Sequence, residues 1–311
     1  MYSFRNIFLM TVILIFIQYL IASRILESHT WPMSQIEIKD KCILPTWVDK
    51  NSAYLADLMM KTSKGLTDKV NTVDHEYQYL YFPYLSALVR EKFCSYERRN
   101  EILAFHTPKI RMLEIGLGCS PEGGMINGLP GGSALAWRSL FENQTDDFEL
   151  HILEFDDVCA LKWSENHKEV AIVHVGDASS EDDLRKLVTA SSINGDSTPF
   201  DIIVDDGSHI NDHQIKTFEM LIPFLRPGGF YVIEDIHSSC RNWVANIGTR
   251  TTSNTPKVGG TRKCMHTNDG SPTIFAKIVE WQKNLILRKE TFKGVNHIDF
   301  HKEAVLFGKI V

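Results

Sequence analysis

The chain has 311 residues, of which 43% are hydrophobic and 23% charged, an ordinary globular balance that excludes a disordered or low-complexity protein. Its formal net charge of −6 argues against a nucleic-acid binder, which normally carries a basic surface. Six cysteines (Cys42, Cys94, Cys119, Cys159, Cys240 and Cys264) form no CxxC pair, so neither a zinc-finger spacing nor a thioredoxin-like motif is present.

Residues 7–22 carry no charge and lie between Arg5 and Arg24. This run is slightly short of the roughly 20 residues that span a bilayer, and longer than the about 7–15 apolar residues usual in a cleaved signal. Residues 1–25 therefore read as a signal anchor, with cleavage near Ala22-Ser23 as the alternative. Lys39 is the only Lys or Arg in residues 25–40, which favours a lumenal location for the bulk of the chain. The expectation is a single-pass membrane protein of the ER or Golgi, secreted if the segment is cleaved. Asn143-Gln144-Thr145 would then be a glycan acceptor.

Residues 26–50 are polar and broken by Pro32 and Pro45, as a stem would be. Residues 51–105 turn helical. Tyr54, Leu55, Leu58 and Met59 recur at helical spacing, and so do Tyr77, Leu80, Tyr81, Tyr84, Leu85 and Leu88. From 106 to 311 short apolar runs alternate with helical stretches. Strands are expected over 111–115, 148–155, 170–175, 200–204 and 229–234, with helices over 134–141, 181–188 and 215–225 and a helix ending near Lys168. That alternation predicts a parallel sheet covered on both faces. A further helix is expected over 274–287, then strands at 297–301 and 304–311. So short a connection makes the last two strands antiparallel. The predicted fold is α/β and doubly wound (Rossmann-like), mostly parallel, with a C-terminal antiparallel hairpin and an N-terminal helical segment.

In such a sheet, ligands bind at the carboxyl ends of the strands. The first strand ends in LEIGLGCSPEGG, where Glu114, Gly116 and Gly118 suit a ligand approaching the backbone; a plain chain reversal is the alternative. The second ends in Glu154 and Asp156. Glu154 is placed to accept from ribose hydroxyls, whereas Asp156 can instead start the next helix. Asp177, at the third exit, suits an adenine amino group or a helix cap. The fourth exit is Asp205-Asp206-Gly207-Ser208-His209 and the fifth Glu234-Asp235-Ile236-His237. Parallel strands open on one edge, so Asp206, Glu234 and Asp235 can converge. Three such carboxylates need a cation, and an oxygen-rich cluster suits Mg²⁺ or Mn²⁺. His209 lies close enough to take a proton. The alternative is that these acids cap the following helix or turn.

In order, LEIGLGC, HILEFD, VGDAS, FDIIVDDGSH and LRPGGFYVIEDIH resemble the class I S-adenosylmethionine-dependent methyltransferases. More narrowly they are similar to metal-dependent sugar O-methyltransferases of the macrolide-tailoring type (mycinamicin and tylosin) and their eukaryotic membrane-anchored relatives. The resemblance covers about residues 60–240 and includes LTDKVNTVDHEYQYLY (66–81), which looks like that family's TDK-x(5)-H-x-Y element. It implies a seven-stranded sheet with an antiparallel last strand, S-adenosylmethionine and Mg²⁺ (or Mn²⁺) as cofactors, and O-methyl transfer. It places Glu114, Gly116, Glu154 and Asp177 at the cofactor, Asp206, Glu234 and Asp235 on the metal, and His209 as general base; Gly118, Asp156 and Asp205, at the same strand exits, are further cofactor-binding candidates. His75, Tyr77 and His237 would face the acceptor. Read alone, His75 and Tyr77 are residues of an amphipathic helix.

Residues 241–263 carry Arg241, Arg250, Lys257, Arg262 and Lys263 without one acidic residue. They suggest a basic substrate loop for an anionic acceptor, with Arg250 as a contact, or else a solvated loop. Cys240 and Cys264 bracket this loop and could close it as a disulfide. The expected partner is a small-molecule or glycan hydroxyl acceptor; homo-oligomerisation is left open. Two readings from other classes share these features: a nicotinamide-dependent oxidoreductase, and an inactive membrane-anchored binding protein.

Overall fold

In the computed structural model, residues 44–70, 75–99, 109–119, 129–141, 148–192, 200–240, 264–267, 270–289 and 294–309 are described. The chain begins with two helices, α1 (Ser52–Thr62) and α2 (Gln78–Arg99). Strands and helices then alternate: β1 (Ile110–Ile115), α3 (Gly132–Ser139), β2 (Phe148–Glu154), α4 (Asp157–Asn166) and β3 (Ile172–Val175). After these come α5 (Glu181–Ser191), β4 (Phe200–Asp205), α6 (Asn211–Leu221) and β5 (Leu225–Ile233). The C-terminal part holds α7 (Ile274–Ile286), β6 (Val295–His301) and β7 (Ala304–Lys309).

The seven strands form one sheet in the order β3-β2-β1-β4-β5-β7-β6. Pairings from β3 through β5 are parallel, and β7 runs antiparallel to both β5 and β6. Both faces are covered, which is why β1 and β4 are buried at every position. On one face Trp47, Leu55, Met59, Trp137 and Phe141 pack with Ile202 and Val204 of β4. On the other, Leu184, Phe218, Trp281 and Phe307 pack with Ile203 and Tyr231. Each such large side chain, fully buried, contributes roughly 1.5–3 kcal/mol. Trp47 also donates its indole N–H to the Leu140 carbonyl at 2.7 Å, tying the segment before α1 to the end of α3.

Helix starts follow the side-chain chemistry of their caps. Asn51, Asp156, Ser180 and Thr273 each accept a backbone N–H from the first turn of α1, α4, α5 and α7. The helices expected over 134–141 and 215–225 begin and end a few residues earlier, as α3 and α6, and β5 departs further from expectation. β5 begins at Leu225 and includes Pro227-Gly228-Gly229, a stretch whose composition reads as a turn. The register slips between Phe200 and Ile202, and a Cβ on Gly229 would lie 2.4 Å from the Asp201 carbonyl. Glycine thus lets the strand press against the irregularity.

The strand order reverses between β1 and β4, and this is where a doubly wound sheet opens a crevice. The exits of β1, β4 and β5 therefore lie side by side. No helix among the described residues is long and apolar enough to cross a membrane. The segment 7–22, the stem to residue 43, Asn143 and Arg250 lie outside the described residues.

Candidate active site

The β1 and β4 exits meet through their backbones. Asp206 donates its N–H to the Ile115 carbonyl at 3.1 Å, while Gly116 has φ +97° and no room for a side chain. A Cβ there would sit 2.3 Å from the Asp206 carbonyl oxygen. Gly116 is thus required by the neighbouring strand exit as well as by any ligand.

Around this junction lies a polar cluster built on a residue that sequence reasoning passed over. The Lys69 side chain is fully buried, and its ammonium lies 2.8 Å from Asp206 Oδ2, 2.8 Å from Glu234 Oε2 and 3.2 Å from Glu114 Oε1. Burial opposes its charge, but Asp206, Glu234 and Glu114 together outweigh that and hold it well above the ordinary lysine value. Burial also raises Glu114 and Glu234, since one ammonium serves three carboxylates. Tyr81 donates its hydroxyl to the second oxygen of Glu234. The cation that the converging carboxylates demand is therefore supplied in part by the chain itself. The signal was present in the TDK segment, but nothing in its spacing ties position 69 to strand exits far along the chain.

Asp206 turns its other oxygen toward His209, whose Nε2 is 3.8 Å from Asp206 Oδ1 and 3.6 Å from Asp235 Oδ2. Donor atoms of Asp206, His209 and Asp235 all fall within 4.8 Å of one another. His209 and Asp235 both have φ of 54°, a region uncommon for non-glycine residues. The helix-cap alternative for Asp206 does not hold, because α6 starts at Asn211 with Ile210 at its N-cap position and no side-chain cap. Asp205, by contrast, is buried beneath the exit. Its carboxylate accepts from Tyr231 Oη and the Gly207 N–H, each at 3.4 Å, and burial pushes it up to about 7. It supports the Asp206 turn from behind and does not line the crevice.

Asp235 gathers further groups. Tyr77, fully buried before α2, donates its hydroxyl to Asp235 Oδ1 at 2.7 Å. His75 stacks on Tyr77 and lies 3.5 Å from the same oxygen. His237 is at 4.0 Å, on the short 3-10 turn after β5. Glu303, at the tip of the β6–β7 hairpin, contacts His75 at 2.9 Å and His237 at 3.8 Å. No motif announced Glu303. It arrives through strand register: Ile233 pairs with Val305, so Glu303 falls opposite Asp235, and the Ile236 N–H donates to its carbonyl.

On the cofactor side, Glu154 accepts from the Leu117 N–H at 2.8 Å and the Asp156 N–H at 2.9 Å, which holds the β1 exit loop against the end of β2. Asp156 caps α4 through the Cys159 N–H, the alternative left open by its position. Asp177 accepts from the Ser179 N–H at 2.7 Å, one residue before the α5 cap at Ser180. Glu114 is buried to 0% exposure, held by Lys69, Ser133 and Trp137, and so stands inside the wall instead of on its surface. Gly118 has φ of 76° and leads to Cys119, which is disulfide-bonded to Cys159 in α4. Cys94 and Cys264 are disulfide-bonded too; the expected Cys240 partner has its side chain outside the described residues.

Known proteins bring this geometry into focus. No protein-family model matches the chain. Over 142 residues it is 36% identical to a demethylmacrocin O-methyltransferase of Streptomyces fradiae, a match covering 45% of this chain and 29% of that protein. It is 34% identical over 134 residues to a mycinamicin VI 2''-O-methyltransferase of Micromonospora griseorubida, covering 42% and 28%. A solved structure of the MycE methyltransferase of mycinamycin biosynthesis, in complex with Mg, SAH and mycinamycin VI, superposes with a TM-score of 0.52. Identity is 21%, over 82% of this chain and 54% of that one. Over less than half of its length the chain is similar in sequence to these O-methyltransferases, and it shares the fold of the solved methyltransferase. The matched region spans less than a third of these methyltransferases' own length.

Proposed function

We propose that this protein is an S-adenosylmethionine- and divalent-metal-dependent O-methyltransferase acting on a hydroxyl of a sugar or other small hydroxylated acceptor. The observation that carries this reading is the convergence of Asp206, His209 and Asp235 beside the glycine exit of β1. The donor set fits Mg²⁺ or Mn²⁺: carboxylate oxygens predominate, and such ions complete their coordination with water or substrate oxygens. Asp206 and Asp235 would hold the ion. Glu234, already engaged by Lys69 and Tyr81, backs them as the third carboxylate. A bound ion would orient the acceptor hydroxyl and lower its pKa, while the cofactor's sulfonium makes its methyl electrophilic.

The chain's own residues do the rest. Glu154 holds the β1 exit loop and offers its remaining lone pairs to ribose hydroxyls. Gly116 and Gly118 let the cofactor approach the backbone. His209 stands beside the ion-binding oxygens, where it can take the hydroxyl proton. His75 and His237, partly exposed beside Asp235, face the acceptor, while Tyr77 is buried behind them and holds Asp235 through its hydroxyl. Most of the acceleration would come from proximity, since the electrophile is already activated.

An oxidising compartment accords with the Cys119–Cys159 bond and with the absence of any free cysteine among the described residues. This supports a lumenal or secreted location, with residues 7–22 as anchor or signal. The test is a screen with S-adenosylmethionine, Mg²⁺ and a panel of hydroxylated acceptors. Asp206→Ala should lose methyl transfer while S-adenosylhomocysteine still raises its melting temperature. Stabilisation by NAD instead would sink the reading in favour of a nicotinamide enzyme.

A further inference from the structure

We infer that the site binds a second divalent cation, held by His75 Nδ1, Asp235 Oδ1 and Glu303 Oε2 with His237 Nδ1 as a fourth donor, and that Asp235 bridges the two positions. The key observation is how Asp235 divides its carboxylate. Oδ2 faces His209 at 3.6 Å, within the group containing Asp206. Oδ1 faces the other way, accepting from the Tyr77 hydroxyl at 2.7 Å and lying 3.5 Å from His75 Nδ1 and 4.0 Å from His237 Nδ1. One carboxylate therefore serves two separate donor clusters, as in two-metal sites whose ions lie about 3.5–4 Å apart.

The spacing of the second cluster suits a bound ion. Bonds of about 2.0–2.2 Å from metal to nitrogen or oxygen put neighbouring donors roughly 3–3.5 Å apart. His75 Nδ1 lies 2.9 Å from Glu303 Oε2 and 3.5 Å from Asp235 Oδ1. His237 Nδ1 lies 4.0 Å from Asp235 Oδ1 and 3.8 Å from Glu303 Oε2 and would have to move closer to join. The four side chains come from the segment before α2, the β5 exit, the following 3-10 turn and the β6–β7 hairpin, and they are 16–25% exposed. They are thus held in place and still reachable from solvent. Two imidazoles with two carboxylates form a donor set for Zn²⁺, Mn²⁺ or a similar transition ion in preference to Mg²⁺.

Charge points the same way. The Lys69 ammonium is shared among Glu114, Asp206 and Glu234. Among the described residues, the ion-pair partners of Asp235 and Glu303 are histidines alone. No lysine or arginine among the described residues pairs with either carboxylate, and Asp235 has the neutral Tyr77 hydroxyl as its further donor, so a bound cation would offset their charge. The inference rests on the proposed methyltransferase site only through Asp235.

The experiment is cation stoichiometry on the full chain, by equilibrium dialysis and calorimetry with Mn²⁺ and Zn²⁺ alone. Two ions per chain are expected for the native protein, and one each for Glu303→Gln, His75→Ala and Asp206→Asn. Mn²⁺ electron paramagnetic resonance should show a spin-coupled pair only in the native protein. S-adenosylhomocysteine-induced stabilisation of each variant confirms that it is folded. One ion per chain in the native protein, lost in Asp206→Asn and kept in Glu303→Gln, overturns the second site and leaves the methyltransferase reading standing. One ion lost in Glu303→Gln and kept in Asp206→Asn overturns the bridged pair and the metal assignment of the methyltransferase site together.

Discussion

Lys69→Met isolates what the buried ammonium does, because it keeps the length and most of the volume of the side chain while deleting its charge. Each 2.8 Å contact, to Asp206 and to Glu234, is worth about 6 kcal/mol of gross attraction at an effective dielectric constant near 20, largely offset by desolvation. Deleting one partner removes the attraction and leaves the desolvation cost, typically about 3–5 kcal/mol. For a domain of this size that lowers the melting temperature by on the order of 10 °C. The loss should also depend on pH. Burial already raises Glu114 and Glu234, and without Lys69 they rise further, so the native state retains protons that the unfolded chain has released. Stability of the variant then falls relative to the parent as pH rises, by up to about 1.4 kcal/mol per unit for each retained proton. Thermal unfolding in EDTA between pH 6 and 8.5 reads both effects. Adding Mg²⁺ should then recover more stability in Lys69→Met than in the parent. A loss under about 1 kcal/mol that is flat with pH would refute the view that Lys69 neutralises this cluster.

Gly116→Ala should cost upwards of about 1 kcal/mol and weaken S-adenosylhomocysteine binding measured by calorimetry, since φ is +97° and the added Cβ meets the Asp206 carbonyl. The Cys119–Cys159 bond closes a loop of sequence separation 40, worth about 4 kcal/mol by loop entropy. The Cys119→Ser/Cys159→Ser double variant should therefore unfold at clearly lower denaturant, and equal midpoints would count against that bond. His174 is pushed down to about 4, chiefly by burial and secondarily by His151. Between that value and the ordinary 6.5 the unfolded chain binds the extra proton, so stability falls as pH drops through this window. Because His174 is only half-buried, the loss is on the order of 1 kcal/mol, and His174→Gln should flatten that limb of the stability profile.

The alternation of apolar runs carried the fold because burial on both faces leaves a sheet strand no other pattern. Every expected strand is present, and the short 302–303 link does make β6 and β7 antiparallel. What did not show was the insertion of β7 between β5 and β6, which depends on long-range pairing with no local signature. The candidate site divides in the same way. Asp206, His209 and Asp235 were legible because parallel strands bring their exits to one edge by rule. Lys69 and Glu303 were not, since one reaches the edge from the link between α1 and α2 and the other through hairpin register.

Those two residues make the site more than a pair of acidic exits. Lys69 joins the wall behind the cofactor crevice, through Glu114, to the carboxylates Asp206 and Glu234. Glu303 joins the far edge of the sheet to Asp235 through His75. The two reach the cluster from opposite sides, and only Lys69 brings a charge that desolvation cannot easily remove. The Asp206 side is therefore neutralised in part before any cation arrives, whereas the Asp235–Glu303 side is left to histidines. Zn²⁺ should accordingly be favoured over Mg²⁺ more strongly on the Glu303 side, where two imidazoles join two carboxylates. Titrating Zn²⁺ and Mg²⁺ into Asp206→Asn and Glu303→Gln separates the two sides. A larger preference for Zn²⁺ in Asp206→Asn, which keeps the histidine-rich site, is the expected result; equal preferences would mean that the two sides do not differ in donor chemistry.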